Sequence, residues 1–382
     1  MAVSQARSIS SVLSPPAPFP SATRPLAVPY KGSAAAFPAA AMWAKHAIHR
    51  SSSVLKDRRR KSVTISADVR SGSMSALTIP PAEASRGTMV AVNTKTLRKA
   101  RIPATLAALA AGAAAAYMAY EARWVDYRTA DLLVPGLPEP WSGTTVLHLS
   151  DVHAGSFALN ERNLAKVVDW AGSLSPDLVI LTGDTLGELE RSRPCLQLLA
   201  RLEPPLGTFA VTGNHEYGLG KSPLARARDT SSLWQEAGVT LLQDTCVALP
   251  PRDGASLLLC GADHLTGGHG LLRSSELSEP AKDSAFPVLL THAAPSSDSP
   301  LAKLFPLAFA GHTHGGQLRV PSGTGLVPLH KEEHQHLSGV HRWGAGLMVV
   351  SRGVGVSFLP FRLLTRPEAT LWRLVYTSSD EH

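Results

Sequence analysis

The stretch TVLHLSDVH, residues 145–153, sets the pattern that decides the fold of this chain. In it, a short apolar run ends abruptly in an aspartate and a histidine. The same arrangement returns in LVILTGD, residues 178–184, and in TFAVTGNHE, residues 208–216. Short apolar runs bounded by turn residues are typical of buried strands. We therefore predict strands at 145–150, 178–182 and 208–212, each with polar side chains at its end.

Helical patterns separate these strands, near 159–173, 189–202 and 225–237. Such alternation predicts right-handed strand-helix-strand units and a mostly parallel sheet. The later strands lack long intervening helices, and they are predicted at 256–261, 287–290, 307–310, 317–320, 347–351 and 370–375. This change indicates a second, mixed sheet that packs on the first.

The basic charge of the chain comes from its N-terminal end. The whole chain has 382 residues and a net charge of +7, but residues 1–100 hold 15 Lys/Arg and 3 Asp/Glu. The remainder therefore holds 22 bases and 27 acids and is acidic. A basic surface for nucleic acid is not expected on the folded part.

The first 90 residues are rich in Ser, Ala, Pro and Arg and show no periodic apolar pattern. We predict a disordered or removed extension, with a composition typical of a transit peptide. The alternative is that translation starts at Met89.

Residues 102–120 carry no charge and follow Lys95, Arg98, Lys99 and Arg101. An uncharged run of this length predicts a membrane-spanning helix, within a signal anchor over 91–128. The basic flank places the N-terminal side in the cytoplasm, and hence the following domain on the outer face. The alternatives are a cleaved export signal with secretion, organelle targeting, or a buried soluble helix. We assign 129–143 to a linker, 144–376 to the main domain and 377–382 to a tail.

Three cysteines, Cys195, Cys246 and Cys260, show no spaced framework. We interpret them as buried small apolar residues, with one disulfide left open.

Two further polar blocks follow predicted strands: Thr291-His292, and Gly311-His312-Thr313-His314. Taken alone, an aspartate at a strand end is usually a turn former or a helix cap. Several blocks in order at strand ends instead indicate a two-metal hydrolytic site, because a sheet brings such ends together. Mixed imidazole and carboxylate ligands suit Mn, Fe or Zn better than Mg or Ca.

The order Asp-x-His, Gly-Asp, Gly-Asn-His-Glu, His, Gly-His-x-His resembles the calcineurin-like metallophosphoesterase superfamily. The flanking residues 313–317 and 351–355 are similar to the bacterial membrane-associated, single-domain phosphodiesterase branch, near enzymes that act on nucleotide-linked lipids. The resemblance covers about residues 144–376. It implies an α/β fold of α+β type, a four-layer αββα sandwich of two mixed sheets flanked by helices, with a dinuclear metal site at strand ends.

The resemblance also implies a set of roles. Asp151, His153 and His314 would bind the first metal, Asp184 would bridge both, and Asn214, His292 and His312 would bind the second. His215 would donate to a phosphate oxygen or protonate the leaving alkoxide after attack by a hydroxide between the metals. Alternate residues of an extended segment point the same way, so we expect Asp151 and His153 to share an ion. The family's second acid, three residues beyond the bridging aspartate, is here Gly187, with Glu188 next.

Other residues are less specific. His292 is preferred as a ligand over His264 and His269, because a predicted strand delivers it. Arg352 either pairs with a substrate phosphate or caps the sheet edge. His148 is interpreted as a core residue. A solvated loop rather than a further metal site is expected at His330, His334, His336 and His341.

The leading hypothesis is a phosphodiesterase or pyrophosphatase that cleaves a lipid- or nucleotide-linked phosphate and is tethered to a membrane. The alternatives are a phosphomonoesterase of the same fold and a non-catalytic scaffold, which would have lost ligands that are all present here. An amidohydrolase is not favoured, because Gly-Asn-His-Glu has no place in one. The sequence leaves the oligomeric state open.

Overall fold

The computed structural model of the chain describes residues 94–218, 230–273, 285–320 and 336–377. All of them lie in one compact unit, Met89–His382. A second unit, Met1–Thr88, lies outside the described residues. The extension predicted over 1–90, most of the tail predicted over 377–382, and two of the four histidines of the predicted solvated loop, His330 and His334, also lie outside them.

Helix α1, Thr94–Glu121, contains the whole predicted membrane segment 102–120. Ten of the nineteen residues in that segment are alanines, and a single methyl group contributes little hydrophobic free energy. In the parts of the chain that the structure describes, no helix is both long and apolar enough to cross a bilayer. The predicted transmembrane signal anchor is therefore not supported.

The first sheet has six strands: β1 (Asp126–Pro135), β2 (Thr145–Leu149), β3 (Leu178–Thr182), β4 (Thr208–Val211), β5 (Val239–Leu242) and β12 (Glu368–Thr377). Their order is β1-β12-β2-β3-β4-β5. Strands β2 to β5 are parallel, whereas β12 is antiparallel to β2. Continuous apolar runs form β2, β3 and β4 because the strands of a parallel sheet are buried on both faces.

The second sheet also has six strands: β6 (Thr245–Ala248), β7 (Ser256–Gly261), β8 (Ala285–Leu290), β9 (Leu307–Ala310), β10 (Gly339–Trp343) and β11 (Gly346–Val350). Their order is β10-β11-β9-β8-β7-β6. The four central strands are parallel, and both edge strands are antiparallel to their neighbours. This sheet is the predicted second, mixed one.

Three apolar cores divide the domain into layers. One core lies between the two sheets and includes Ile180 and Phe309. A second lies between the first sheet and helices α2 (Ala158–Gly172), α3 (Leu189–Ala200) and α4 (Ser231–Glu236). A third lies on the far side of the second sheet, where the short helix α5 (Leu301–Leu304) packs. The arrangement is the predicted αββα sandwich.

Two predictions about local structure are wrong. The segment 129–143, assigned to a linker, instead supplies most of β1, which pairs in parallel with β12. Only Leu132 and Val134 of this edge strand are well buried, so its sequence lacks a strong apolar pattern. The strand predicted at 317–320 is a single bridge between Leu318 and Leu363, because the chain turns through positive φ at Gly315 and Gln317.

Two cysteines form a disulfide, Cys246–Cys260, which joins directly opposed residues of β6 and β7. Cys195 is free and buried. The first half of the helix predicted at 225–237 lies outside the described residues, and α4 forms its remainder.

Candidate metal centre

The polar blocks meet because parallel strands end at the same edge of a sheet. The loops after β2, β3 and β4 come from the first sheet, and the loops after β8 and β9 come from the second. The structure brings together every predicted ligand and the predicted catalytic histidine, namely Asp151, His153, Asp184, Asn214, His215, His292, His312 and His314.

One group of ligand atoms forms around Asp151, His153 and His314. The Nε2 atoms of His153 and His314 are 3.0 Å apart. His314 Nε2 lies 3.5 Å from Asp151 Oδ1. All three side chains are buried. These are the residues predicted for the first metal.

A second group forms around Asn214, His292 and His312. His292 Nε2 lies 3.2 Å from Asn214 Oδ1 and 2.9 Å from His312 Nδ1. His292 thus lies beside the other two residues predicted for the second metal. The structure also brings His264 close, with its ring centroid 5.5 Å from that of His292.

Asp184 lies between the two groups. Its Oδ2 atom is 3.7 Å from His153 Nε2 and 3.4 Å from His292 Nε2. One carboxylate oxygen therefore approaches both groups, which is the geometry that a bridging ligand requires.

The backbone at the ligands is left-handed rather than extended. Asp151, His153, Asp184, His312 and His314 all have φ between 48° and 69°. This region is uncommon for residues other than glycine, and it clusters at functional sites. The prediction that an extended segment aims Asp151 and His153 the same way is therefore wrong. Tight turns at the strand ends bring these side chains together.

The donor atoms fit two divalent cations. Asp151 Oδ1 is buried and makes no hydrogen bond. Three groups of side chains each offer ligand atoms that all lie within 4.8 Å of one another. The groups are Asp151, His153 and His314; His153, Asp184 and His215; and Asp184, His292 and His312. Facing imidazole nitrogens cannot satisfy one another fully, so lone pairs converge on two points. Nitrogen and carboxylate donors in this mixture favour Mn, Fe or Zn.

Electrostatics distinguish the two aspartates. Burial raises the pKa of Asp151 to about 6. Burial acts in the same direction on Asp184, but the charges of His292, His153 and His215 hold its pKa well below the ordinary value. Asp184 therefore stays ionised.

The histidines also differ. Burial opposes the charge of His292, yet the carboxylate of Asp184 raises its pKa to about 10. Burial and the neighbouring charge of His292 lower the pKa of His312 to about 3. Burial, with His153 and Arg362, holds the pKa of His314 well below its usual range. His312 and His314 therefore stay neutral, and their lone pairs are available to cations.

His215 lies beside both groups. Its Nε2 atom is 3.9 Å from Asp184 Oδ2, and its ring centroid is 4.4 Å from that of His153. Its backbone N–H donates to Asp184 Oδ1 at 2.8 Å. The side chain is 9% exposed and borders the cluster, where a general acid would stand. Its role stays a prediction.

Glu216 was not assigned a role from the sequence, although it belongs to the Gly-Asn-His-Glu block. Its carboxylate accepts hydrogen bonds from the backbone N–H groups of Asp184 (3.0 Å), Leu186 (2.8 Å) and Gly213 (2.8 Å). It therefore fastens the loop after β3 to the loop after β4. Burial and the charge of Asp184 raise the pKa of Glu216 to about 7.

Arg352 lies at the start of β1 and β12. Its Nε donates to Glu368 and its Nη2 donates to Asp126, both at 2.6 Å. These ion pairs agree with the alternative that Arg352 caps the sheet edge. They give no support to contact with a substrate phosphate, which stays a prediction.

Arg362 is a buried residue that no sequence motif indicated. Its Nη1 donates to the carbonyl of His314 at 3.0 Å, and its Nη2 approaches His314 Nδ1 at 3.3 Å. It thus orients this ligand. Burial and the charge of Arg352 lower the pKa of Arg362 to about 9.

Gly187 has a steric reason to lack a side chain. A Cβ atom there would lie 2.2 Å from Ser156 Oγ and 2.7 Å from the carbonyl of Ala154. An acid at this position would not fit. Glu188 is exposed, and its support of His215 stays a prediction.

Among the described residues, the second group is less deeply buried than the first. The ligands of the first group are buried, whereas Asn214, His215 and His312 are partly exposed. His264, also partly exposed, lies near His312.

Residues 144–316 match the family model for calcineurin-like phosphoesterases. The match includes all seven predicted ligands and His215. The geometry of the cluster and the family match thus concern the same residues.

Curated relatives extend the similarity beyond this segment. The metallophosphoesterase YkuE of Bacillus subtilis is 28% identical over 284 residues, which cover 71% of this chain and 93% of the relative. The phosphodiesterase YaeI of Escherichia coli is 29% identical over 288 residues, which cover 73% of this chain and 99% of the relative. A metallophosphoesterase of Aquifex aeolicus is 29% identical over 232 residues, which cover 59% of this chain and 83% of the relative.

Proposed function

We propose that this chain, whose residues 144–316 match the calcineurin-like phosphoesterase family model, is a hydrolase that cleaves phosphodiesters or pyrophosphates with two divalent metal ions. The observation that carries the proposal is the single oxygen of Asp184 that approaches both ligand groups. The choice of a diester is supported by the relative YaeI, which is named a phosphodiesterase.

Two divalent cations, once bound, neutralise an anionic phosphoryl group and lower the pKa of water toward neutrality. The residues of the chain supply the rest. Asp151, His153 and His314 hold one cation, Asn214, His292 and His312 hold the other, and Asp184 serves both. Glu216 keeps Asp184 in register by binding its backbone N–H.

His215 acts on the leaving group. It stands beside Asp184 and against the ring of His153, where a substrate alkoxide would depart. Its imidazole donates a proton to that oxygen, which removes the cost of expelling an alkoxide.

The assay compares bis-p-nitrophenyl phosphate with p-nitrophenyl phosphate, with Mn²⁺ present and then with a chelator. We expect faster, chelator-sensitive cleavage of the diester. Asp184→Asn shows how much activity comes from contaminating enzymes. The surface variant Glu236→Gln shows whether substitution and purification alone change the rate. Cleavage of the monoester alone would overturn the choice of a diester and favour the phosphomonoesterase.

We extend the proposal to lipid- or nucleotide-linked phosphates, as the sequence resemblance implies. Matched nucleoside diphosphate compounds with and without a lipid tail distinguish lipid-linked from nucleotide-linked substrates. A higher kcat/KM with the tail supports a lipid link, and an equal value contradicts it. A non-catalytic scaffold would cleave none of these compounds.

The location of the protein stays a prediction: a domain on the outer face of a membrane, a secreted protein, or a protein of an organelle.

A further inference from the structure

An exposed apolar surface lies at the end of α1. It consists of Tyr117, Tyr120, Trp124, Phe358, Leu359 and Leu364, which we call the apolar rim. Each of these side chains is between 44% and 63% exposed. Single exposed apolar residues are ordinary, but a contiguous group marks an interaction site.

Hydrogen bonds join the two segments of the rim. The backbone N–H of Arg362 donates to the carbonyl of Met118 at 3.1 Å. The backbone N–H of Thr365 donates to Glu121 Oε1 at 2.9 Å. The guanidinium of Arg366 lies 3.4 Å from the ring centroid of Trp124. The helix end and the loop 357–366 therefore form one surface.

The loop holds its apolar side chains outward at a conformational cost. Phe358 and Leu364 have φ of 56° and 57°, where bulky residues are rare. The amide of Gln317 donates to the carbonyls of Ser357 (2.7 Å) and Leu359 (3.1 Å), which fixes the loop. Strain that is held in place in this way is typical of functional surfaces.

Charge identifies the occupant. Residues 105–124 and 357–367 contain one acid, Glu121, and it is buried. They contain Arg123 and Arg366, and the sequence adds Lys95, Arg98, Lys99 and Arg101 earlier in α1. Tyrosine and tryptophan beside basic residues suit the interface of a bilayer with anionic lipids.

We propose that the apolar rim docks the domain onto the surface of an anionic lipid bilayer. Gln317, which fixes the loop, follows three residues after the predicted metal ligand His314. The docking does not depend on the proposed reaction.

The test is sedimentation of the full chain with phosphatidylcholine vesicles that contain or lack phosphatidylglycerol, at low and high salt. High salt screens the basic N-terminal extension, whereas apolar insertion persists. We expect binding to anionic vesicles that survives high salt. The triple variant Phe358→Ser, Leu359→Ser and Leu364→Ser should lose about tenfold or more of it, since binding scales with buried apolar area.

The matched control is Leu133→Ser with Val340→Ser, which removes two similarly exposed apolar side chains from the edge strands β1 and β10. It should bind as the unaltered chain does. Hydrolysis of a soluble chromogenic diester should be unchanged in both variants, so a failed reaction and failed docking are distinguishable. Equal vesicle binding by the triple variant and the unaltered chain would overturn the proposal.

A second measurement does not require the triple variant to fold. Cys195 is buried and the other cysteines are paired, so Phe358→Cys and, as a control, Val340→Cys accept a polarity-sensitive dye selectively. Vesicles should shift the emission at position 358 and leave it unchanged at 340. No shift at 358, or a dimer that the triple variant abolishes in place of vesicle binding, contradicts the bilayer.

Discussion

The loops after β2 and β3 have the same backbone conformation at their aspartates, but the pKa values of the two aspartates shift in opposite directions. Each places a buried aspartate two residues after the end of its strand, with φ of 50° at Asp151 and 49° at Asp184. Burial raises the pKa of Asp151 to about 6, yet the pKa of Asp184 lies well below its ordinary value. The difference comes from the imidazoles of His292, His153 and His215 around Asp184. Neighbours brought by distant segments, and not the turn itself, suit Asp184 to serve two cations.

The largest effect is expected when the shared carboxylate is removed. Asp184→Asn should lose both cations and lower kcat/KM by about 10⁴-fold or more, because each cation stabilises transition-state charge by several kcal/mol. Metal content by mass spectrometry and diester hydrolysis measure the two effects.

Asp151→Asn is the matched variant for this comparison. It should lose the cation held with His153 and His314 and retain the other. Equal metal loss in the two variants would mean that Asp184 does not bridge.

Removal of His215 should separate catalysis from metal binding. His215→Gln should lower kcat by about 10²- to 10⁴-fold, the usual contribution of a general acid. Both cations should remain bound. The loss should also shrink for a substrate with a better leaving group, since that group needs no proton. Metal loss in parallel with activity would assign His215 to the ligands.

A smaller effect is expected at Glu216, which supports only the Asp184 side of the comparison. Glu216→Gln replaces one acceptor oxygen with a donor, so at least one of three backbone hydrogen bonds is lost. Metal affinity should fall by about 10- to 100-fold, as for other groups that orient ligands. Titration with Mn²⁺ measures it. Glu236→Gln, which loses an exposed pair with Arg193, should leave affinity unchanged, and a similar fall there would point to a general loss of stability.

The smallest effect concerns a buried group with no carboxylate partner. His148 in β2 is buried, and burial lowers its pKa to about 3. The unfolded chain therefore takes up a proton near pH 6.5 that the folded chain refuses. His148 should lower the free energy of unfolding as the pH falls from about 6.5 toward 3, by up to about 1.4 kcal/mol per pH unit.

Urea unfolding between pH 7 and pH 5 measures this slope. His148→Gln should reduce it, and exchange of the exposed His269 for Gln should not. An unchanged slope in His148→Gln would show that other groups dominate the acid response.

The strands that carry ligands were predictable to within about two residues, because buried parallel strands are continuous apolar runs. Strands β1, β5, β6 and β10 were not, since edge strands and partly exposed strands have mixed sequences. The ligand blocks were predictable because several metal-binding residues recur at strand ends in one order. Glu216 and Arg362 bind backbone groups of distant segments, and a sequence pattern does not show such contacts. Arg352 binds Asp126 and Glu368 because β1 and β12, which are far apart in the chain, pair in the sheet.

By itself, the sequence determined which segments form the central strands and which side chains can bind metal, because apolar runs and donor chemistry are local properties. Only the tertiary structure decided that Asp184 faces both ligand groups and that the pKa values of Asp151 and Asp184 shift in opposite directions. It also decided that apolar side chains of α1 and of the loop 357–366 form one surface. Those properties depend on distances between residues up to 244 positions apart in the chain, and folding sets such distances.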